Sequence, residues 1–249
     1  TGLIYFAPTD AQAGNYQTFV RCEDEEGDDV FVSINLEIND TSDPEFSDPN
    51  NSSYNFQRGY NFTASINWTD GQNIQNYTFS TNASGGWAST SNVSGPWFNP
   101  PSIIAEIDIN ITQPRGSKIC WYSRAKDNSS NEKVSGQYCF NVANTAPNFN
   151  QSLTEKTANT NELFTYKINC SDIDHEVDTV TYYNNHSELF TINENTGLIN
   201  YTVPEDQTGT YNINITCSDT YENISQAFNY TVIDTTSSNI IKTSIAGDL

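Results

Sequence analysis

The sequence predicts an all-β chain built from β-sandwich modules in series. Three observations predict it. Apolar and polar residues alternate in run after run. Clusters of Gly, Pro, Asn and Asp punctuate the runs, and no window keeps a helical period. The chain also repeats itself: "TGLIYFAPTDAQAGNYQTFVRCED" at residue 1 returns as "TGLINYTVPEDQTGTYNINITCSD" at residue 196. Repeats at fixed spacing set an architecture before any local propensity does.

The elements follow in order. An offset of 195 residues places Thr1, Gly2, Leu3 and Ile4 on Thr196, Gly197, Leu198 and Ile199, and Gln12, Gly14, Tyr16, Cys22 and Asp24 on Gln207, Gly209, Tyr211, Cys217 and Asp219. After one residue of slippage, Val32, Ile34 and Leu36 fall on Phe228, Tyr230 and Val232. Residues 1–41 therefore read as the rear half of a module whose complete copy spans 146–234. Residues 42–145 form a different sandwich, with "INWTDG", "NYTFSTN", "IAEIDINIT", "KICWYSRAKDNSSNE" and "GQYCFNV" as successive strands. The linkers "EINDTSDPEF" and "NVANTAPNF" carry Pro44 and Pro147, which hold the preceding residue extended, so they are short and stiff. Residues 235–249 remain as a linker or a donor-strand tail with the alternating "NIIKTSI".

Glycosylation sequons are dense. They occur at Asn39, Asn50, Asn51, Asn61, Asn67, Asn76, Asn82, Asn92, Asn110, Asn128, Asn150, Asn169, Asn185, Asn200, Asn214, Asn223 and Asn229, 17 in all. With 33 Asn and 53 Ser plus Thr among 249 residues, chance supplies roughly seven. Position discriminates further. In "YNINITC" the apolar set Tyr211, Ile213, Ile215 and Cys217 leaves Asn214 on the other face, and "FTYKINC", "NFTASINW", "IDINI" and "FNYTV" do the same with Asn169, Asn61, Asn67, Asn110 and Asn229. Polar filler explains the alternation but not the Ser or Thr two residues on. Glycans on these asparagines imply export.

The segment "CSDIDHEVDTVTY", then "LFTINENTGLINYTVPEDQTGTYNINITCSD", then a last alternating strand, resembles the cadherin-like and Ig-like modules of large archaeal and bacterial surface proteins. The middle module resembles, more loosely, fibronectin-type-III or Ig-like repeats, through "CWYSRAKDNSSNE", "YCFNV" and Trp68. The resemblance implies seven-stranded sandwiches arranged as a rod. It also implies that Cys170 and Cys217 lie on facing strands that are often bridged, closing a loop that restricts the unfolded chain by roughly 4 kcal/mol. Cys120 and Cys139 lie on adjacent strands of one hairpin and bridge if they are directly opposite. Cys22 is left over at the position of Cys217, with its partner outside this segment. Two explanations stand: the chain is a window of a longer tandem protein, or a neighbouring subunit donates the missing strands.

Charge excludes some partners and leaves others. Lys plus Arg total 10 against 31 Asp plus Glu, a formal net charge of −21, which repels nucleic acid and anionic membranes. No run of about 18 apolar residues exists, so nothing in this segment inserts in a membrane. The absence of Met and of a leader pattern reads as a mature or excised product. Two acidic clusters are the best site candidates. "CEDEEGDD" gathers Glu23, Asp24, Glu25, Glu26, Asp28 and Asp29; "CSDIDHEVD" gathers Asp172, Asp174 and Asp178. Hard oxygens at alternate positions suit Ca²⁺, and with linker residues Asn39 and Asp40 they are similar to inter-repeat cadherin sites. The full cadherin linker set is absent, and solvated acidic loops are the competing reading.

His175 and His186, in an acidic loop and in a sequon, lack a nucleophile context, so no enzyme is expected. Trp87 and Trp97, in "GGWASTSNVSGPWFNPP", either stack on sugar or plug the end of the middle sandwich. The function expected is structural: a glycosylated extracellular protein of the cell surface, forming a filament or surface layer head to tail with other copies or further modules. No cofactor is required; covalent N-glycans are expected, and calcium at Asp172, Asp174, Asp178, Asn39 and Asp40 is the candidate ion. The alternative is an adhesin that holds carbohydrate or another cell's surface.

Overall fold

Alternation in the sequence becomes alternation of burial. Along Phe62–Trp68 every second residue is buried and those between are half-buried, Ile213–Cys217 follows the same rule, and in Phe228–Val232 buried residues alternate with an exposed and a half-buried one. The computed structural model describes residues 3–53, 55–90, 92–94 and 100–235. Two units divide the chain, Thr1–Ala143 and Asn144–Leu249. Among the described residues regular structure is all strand except two 3₁₀ turns, Asp10–Gln12 and Glu205–Gln207. No helix there is long and apolar enough to cross a membrane.

The first unit opens on a hairpin of β1 (Gly14–Glu23) and β2 (Asp29–Ile38). Its register sets Tyr16 opposite Leu36, Val20 opposite Val32 and Cys22 opposite Val30, so these share one face. The other face carries Gln17, Phe19, Arg21, Phe31, Ser33 and Asn35, with both phenylalanines exposed and Arg21 bridging Glu23 and Asp29 at 2.7 Å each.

A sandwich follows: β3 (Glu45–Ser52), β4 (Asn61–Thr69), β5 (Ile74–Thr81), β6 (Ala88–Ser89), β7 (Ser102–Asn110), β8 (Lys118–Asp127), β9 (Glu132–Val134) and β10 (Tyr138–Asn141). One sheet has the order β3-β4-β7. The other has the order β10-β8-β5-β6, with β9 also on β8. Phe62, Ile66 and Trp68 from the first sheet meet Phe79, Ile119 and Trp121 from the second in one core. Each such side chain is worth about 1.5–3 kcal/mol when fully buried. Burying indoles leaves N–H groups to satisfy. Trp68 Nε1 donates to Ser123 Oγ at 3.1 Å, and Trp121 Nε1 donates to Asn51 Oδ1. Cys120 and Cys139 are directly opposite on β8 and β10 and are bonded.

The second unit contains β11 (Asn148–Phe149), β12 (Lys156–Asn159), β13 (Leu163–Lys167), β14 (Cys170–Ser171), β15 (Thr181–Asn184), β16 (Leu198–Thr202), β17 (Gly209–Ser218) and β18 (Asn223–Ile233). A sheet of order β12-β18-β17-β15, with β12 parallel to β18, faces the pairs β13-β16 and β11-β14 across a core of Phe164, Ile168, Ile199, Ile213, Ile215 and Tyr230. Two buried phenols satisfy each other, Tyr201 and Tyr230 hydroxyls lying 2.7 Å apart. Burial and this contact push the Tyr230 phenol well above its usual range. Cys170 on β14 is bonded to Cys217 on β17, so the bridge joins the facing sheets.

The repeat holds in three dimensions. Both 3₁₀ turns precede a glycine at positive φ, Gly14 at 145° and Gly209 at 150°, and the ring two residues on, Tyr16 or Tyr211, lies over it. One alignment detail is corrected. Gly209, Tyr211 and Ile213 face Val232, Tyr230 and Phe228, whereas Gly14, Tyr16 and Thr18 face Ile38, Leu36 and Ile34. Ile34, Leu36 and Ile38 are therefore the counterparts of Phe228, Tyr230 and Val232. The slip runs the other way because the later hairpin loop is one residue shorter, not longer.

Gly197, in the second "TGLI", is required by geometry. Its φ is +65°, and a Cβ there would lie 2.6 Å from the Ile168 carbonyl oxygen and 2.8 Å from the Tyr182 ring. Gly197→Ala should destabilise the second unit by about 2–4 kcal/mol. Thermal unfolding checks this, with Gly86→Ala, where nothing lies within 4 Å, leaving the transition in place.

Candidate metal centre

Cys170 and Cys217 are each followed by Ser-Asp. Bridging the two cysteines brings both aspartates, Asp172 and Asp219, to one end of the sandwich. Asp172 is 7% exposed and Asp219 1%, and Asp174 and Asp178 join them at 0% and 7%. Carboxylate oxygens of Asp172, Asp174 and Asp178 all lie within 4.8 Å of one another. The loop is shaped by short main-chain bonds. The Asp174 N–H donates to Asp172 Oδ1 at 2.6 Å, and the N–H groups of Val177 and Asp178 donate to the Asp174 carbonyl at 2.9 and 3.0 Å.

Linker residues complete the cluster. The Thr145 N–H donates to Asp174 Oδ2 at 3.2 Å, and Asn144 Nδ2 donates to Asp219 Oδ2 and Glu222 Oε2 at 2.8 and 3.0 Å. Two buried oxygens in this constellation have no hydrogen-bond partner, Asp172 Oδ2 and Thr145 Oγ1. Buried polar atoms are almost always satisfied, so an unpartnered carboxylate oxygen beside two more carboxylates is the chemistry of a cation site.

Electrostatics separates the aspartates. Burial pushes the Asp172 carboxyl up, and the nearby charges of Asp174, Asp219 and Asp178 add to this. Burial would also raise Asp219, but N–H groups of Glu222, Asn144 and Tyr221 hold its carboxyl below the usual range. One side of the site is thus stabilised as an anion by the protein itself, and the other is not.

The structure does not bring Asn39 and Asp40 into this set. Asp40 belongs to the first unit, where its near carboxylates are Asp70 and Asp127. That trio is engaged internally: Asp127 accepts the main-chain N–H and the side-chain amide of Asn131 at 2.8 Å each, Asp40 accepts the Ser42 N–H at 3.0 Å, and Asp70 accepts the Gln72 N–H at 2.7 Å. Asn39 is exposed. The "CEDEEGDD" loop is exposed too, and Asp24 Oδ1 spends itself on the turn, accepting the N–H groups of Glu26 and Asp28.

The other candidates are placed as follows. None of the 17 sequon asparagines is buried; 12 are exposed and five half-buried. Asn82 and Asn185 are each held by two main-chain bonds, Asn82 accepting the Cys120 N–H and donating to the Lys118 carbonyl, and Asn185 accepting the Asn214 N–H and donating to the Asn212 carbonyl; an attached glycan would leave each one N–H for its carbonyl. His186 Nδ1 lies 2.5 Å from Glu188, and His175 lies 3.7 Å from Glu176. Trp87 is half-exposed and stacks on Tyr122 at 5.2 Å. Trp97 and the tail run "NIIKTSI" lie outside the described residues.

No protein-family model matches the sequence, and no curated protein does. Solved structures similar to it include the titin domains Z1Z2 in complex with telethonin, at 17% identity and a TM-score of 0.37, over 79% of this chain and 99% of that one. Others are Sidekick-1 immunoglobulin domains 1–4, at 13% and 0.38 over 91% and 60%, and mouse cadherin-23 EC22-24, at 16% and 0.38 over 88% and 74%. The fold rests on the strand pairings themselves.

Asp172→Asn keeps the acceptor for the Asp174 N–H and removes the raised carboxylate. A raised folded pKa means that ionisation costs stability, a cost that is full above the folded value and is relieved as pH falls from the folded value to the unfolded one. In chelator at neutral pH the variant should melt higher than the parent, by roughly 4–8 °C per kcal/mol relieved. The gap should close on acidification, as calorimetry against pH will show.

Proposed function

We propose that the chain is a structural, N-glycosylated extracellular protein that builds a cell-surface filament or layer from serial β-sandwich modules. The observation that carries this reading is the exposure of the sequon asparagines: not one of the 17 lies in the interior. Two disulfides, Cys120–Cys139 and Cys170–Cys217, support an oxidising compartment. The modules are taken as 1–41, 42–145 and 146–234, with 235–249 beyond. The middle sandwich sets a three-stranded sheet against a five-stranded one, and its kinship with fibronectin-type-III repeats draws on "CWYSRAKDNSSNE", "YCFNV" and Trp68. Partners are further copies or modules joined head to tail.

Calcium is the cofactor proposed. Asp172, Asp174 and Asp178 would hold it, with Thr145 Oγ1 the further oxygen that lacks a partner. All are hard oxygen donors, and a flexible oxygen cage suits Ca²⁺ over the stricter Mg²⁺. When bound, the ion neutralises buried charge and ties the linker at Thr145 to the Asp172 loop. The protein's own residues pre-shape the site through the main-chain bonds at Asp174. The second reading, an adhesin, draws on Trp87, whose half-exposed ring is a stacking face for sugar. A glycan array decides it, since an adhesin loses binding on Trp87→Ala and a purely structural protein binds nothing to lose.

Two measurements test the main reading. Enzymatic deglycosylation of native-source material should lower the intact mass by many glycans, and a mass equal to the bare polypeptide refutes glycosylation. Calcium at a hundredfold over its Kd should add about 2.7 kcal/mol, on the order of 10–20 °C in Tm for a unit of this size. Asp172→Asn should abolish that rise.

A further inference from the structure

The opening hairpin presents a sandwich face that no described residue covers. Tyr16, Cys22, Val30, Val32 and Leu36 share this face, and Val30 is 61% exposed, Val32 51%, Tyr16 46% and Leu36 40%. The counterparts of Tyr16, Cys22, Val30 and Leu36, which are Tyr211, Cys217, Ile224 and Tyr230, either form or pack against the core of the second unit, and that of Val32 is Gln226. There the face is covered by Phe164 and Ile168 of the strand Leu163–Lys167 and its extension, by Ile199 of the next, and by the bond from Cys217 to Cys170. Ile199 is fully buried; its counterpart Ile4 is 70% exposed, and Leu3 is 81% exposed. Cys22, the counterpart of Cys217, carries no bond and is exposed.

We infer that this face is a docking site for one occupant, an antiparallel β-strand with inward apolar residues and a cysteine, the chemical equivalent of residues 162–172. The register of the second unit fixes how it docks. Phe164, Tyr166 and Lys167 oppose Tyr201, Ile199 and Leu198, so the incoming strand runs along Leu3–Phe6 and its cysteine reaches Cys22. The two thiols lose two protons and two electrons to a small-molecule disulfide, which leaves as two thiols, and one S–S bond forms between the docked strand and the hairpin. A cysteine-free strand, such as the run "NIIKTSI" of a second copy, satisfies the apolar face but leaves Cys22 unbonded, and two hairpins face to face leave Leu3–Phe6 without a strand. This inference does not depend on calcium or glycans.

The test uses the whole chain and a synthetic peptide of residues 162–172, ELFTYKINCSD, in a glutathione redox buffer. The expected product is one peptide per chain, mapped to a bond between Cys22 and the peptide's cysteine. Amide exchange at Leu3–Phe6 and Tyr16–Leu36 should slow by roughly tenfold or more. A scrambled peptide that keeps its cysteine should give several-fold less product and no protection. With Cys22→Ser, the native peptide should still slow exchange, more weakly. Equal yield from the scrambled peptide, a Cys22–Cys22 dimer that outcompetes the peptide, or an adduct without protection would each overturn the proposal.

Discussion

One covalent contact organises the second unit: the bond between Cys170 and Cys217 across its two sheets. A bridge between facing sheets fixes their spacing and the height at which their strands end. Because Asp follows each cysteine by two residues, the same bond also forces Asp172 and Asp219 together, where burial raises one carboxyl while N–H donors lower the other. A stabilising device and a source of electrostatic tension are thus one feature. The oxygens left unpartnered at Asp172 and Thr145 are the residue of that tension.

The linkers repeat the theme in both units. Asp40, four residues before Pro44, lies by Asp70 and Asp127, and Asn144, three before Pro147, binds Asp219 and Glu222. Each linker thereby meets the acidic end of the sandwich that follows it. The difference is in satisfaction. Asn131 quenches the first cluster with two N–H groups on Asp127, whereas no side-chain amide reaches Asp172. A wet strand face is the other half of the design: none of the 17 sequon asparagines is buried, and 12 are exposed.

Much of this was legible in the sequence because period-2 alternation names a strand's inward face directly. "YNINITC", "FTYKINC" and "NFTASINW" turn inward the residues that the pattern selects, the Cys170–Cys217 pair is what the resemblance to Ig-like sandwiches implies, and Cys120 and Cys139 prove to be directly opposite in their hairpin. Other features depend on contacts that no local pattern records. The strand through "FTYKINC" breaks after Lys167, so that Cys170 pairs with a different neighbour, Phe149. Asp219 was passed over because its sequence neighbours are not acidic; the signal was present in the second Cys-Ser-Asp, and only the bridge gives it meaning. Asn144 and Thr145 looked like linker alone. The acidic run after Cys22 had the opposite fate, since charge density in sequence drew attention to a loop that the structure leaves in solvent.

The calcium site proposed at Asp172, Asp174 and Asp178 depends for its shape on the Cys170–Cys217 bond, and titration calorimetry of calcium tests that dependence most directly. The intact chain should bind calcium at the Asp172 cluster. The Cys170→Ser/Cys217→Ser chain, where near-ultraviolet circular dichroism shows it still folded, should bind there with affinity lower by roughly tenfold or more, since each 1.4 kcal/mol of lost preorganisation is a factor of ten. Unchanged affinity in the folded double variant would contradict the account.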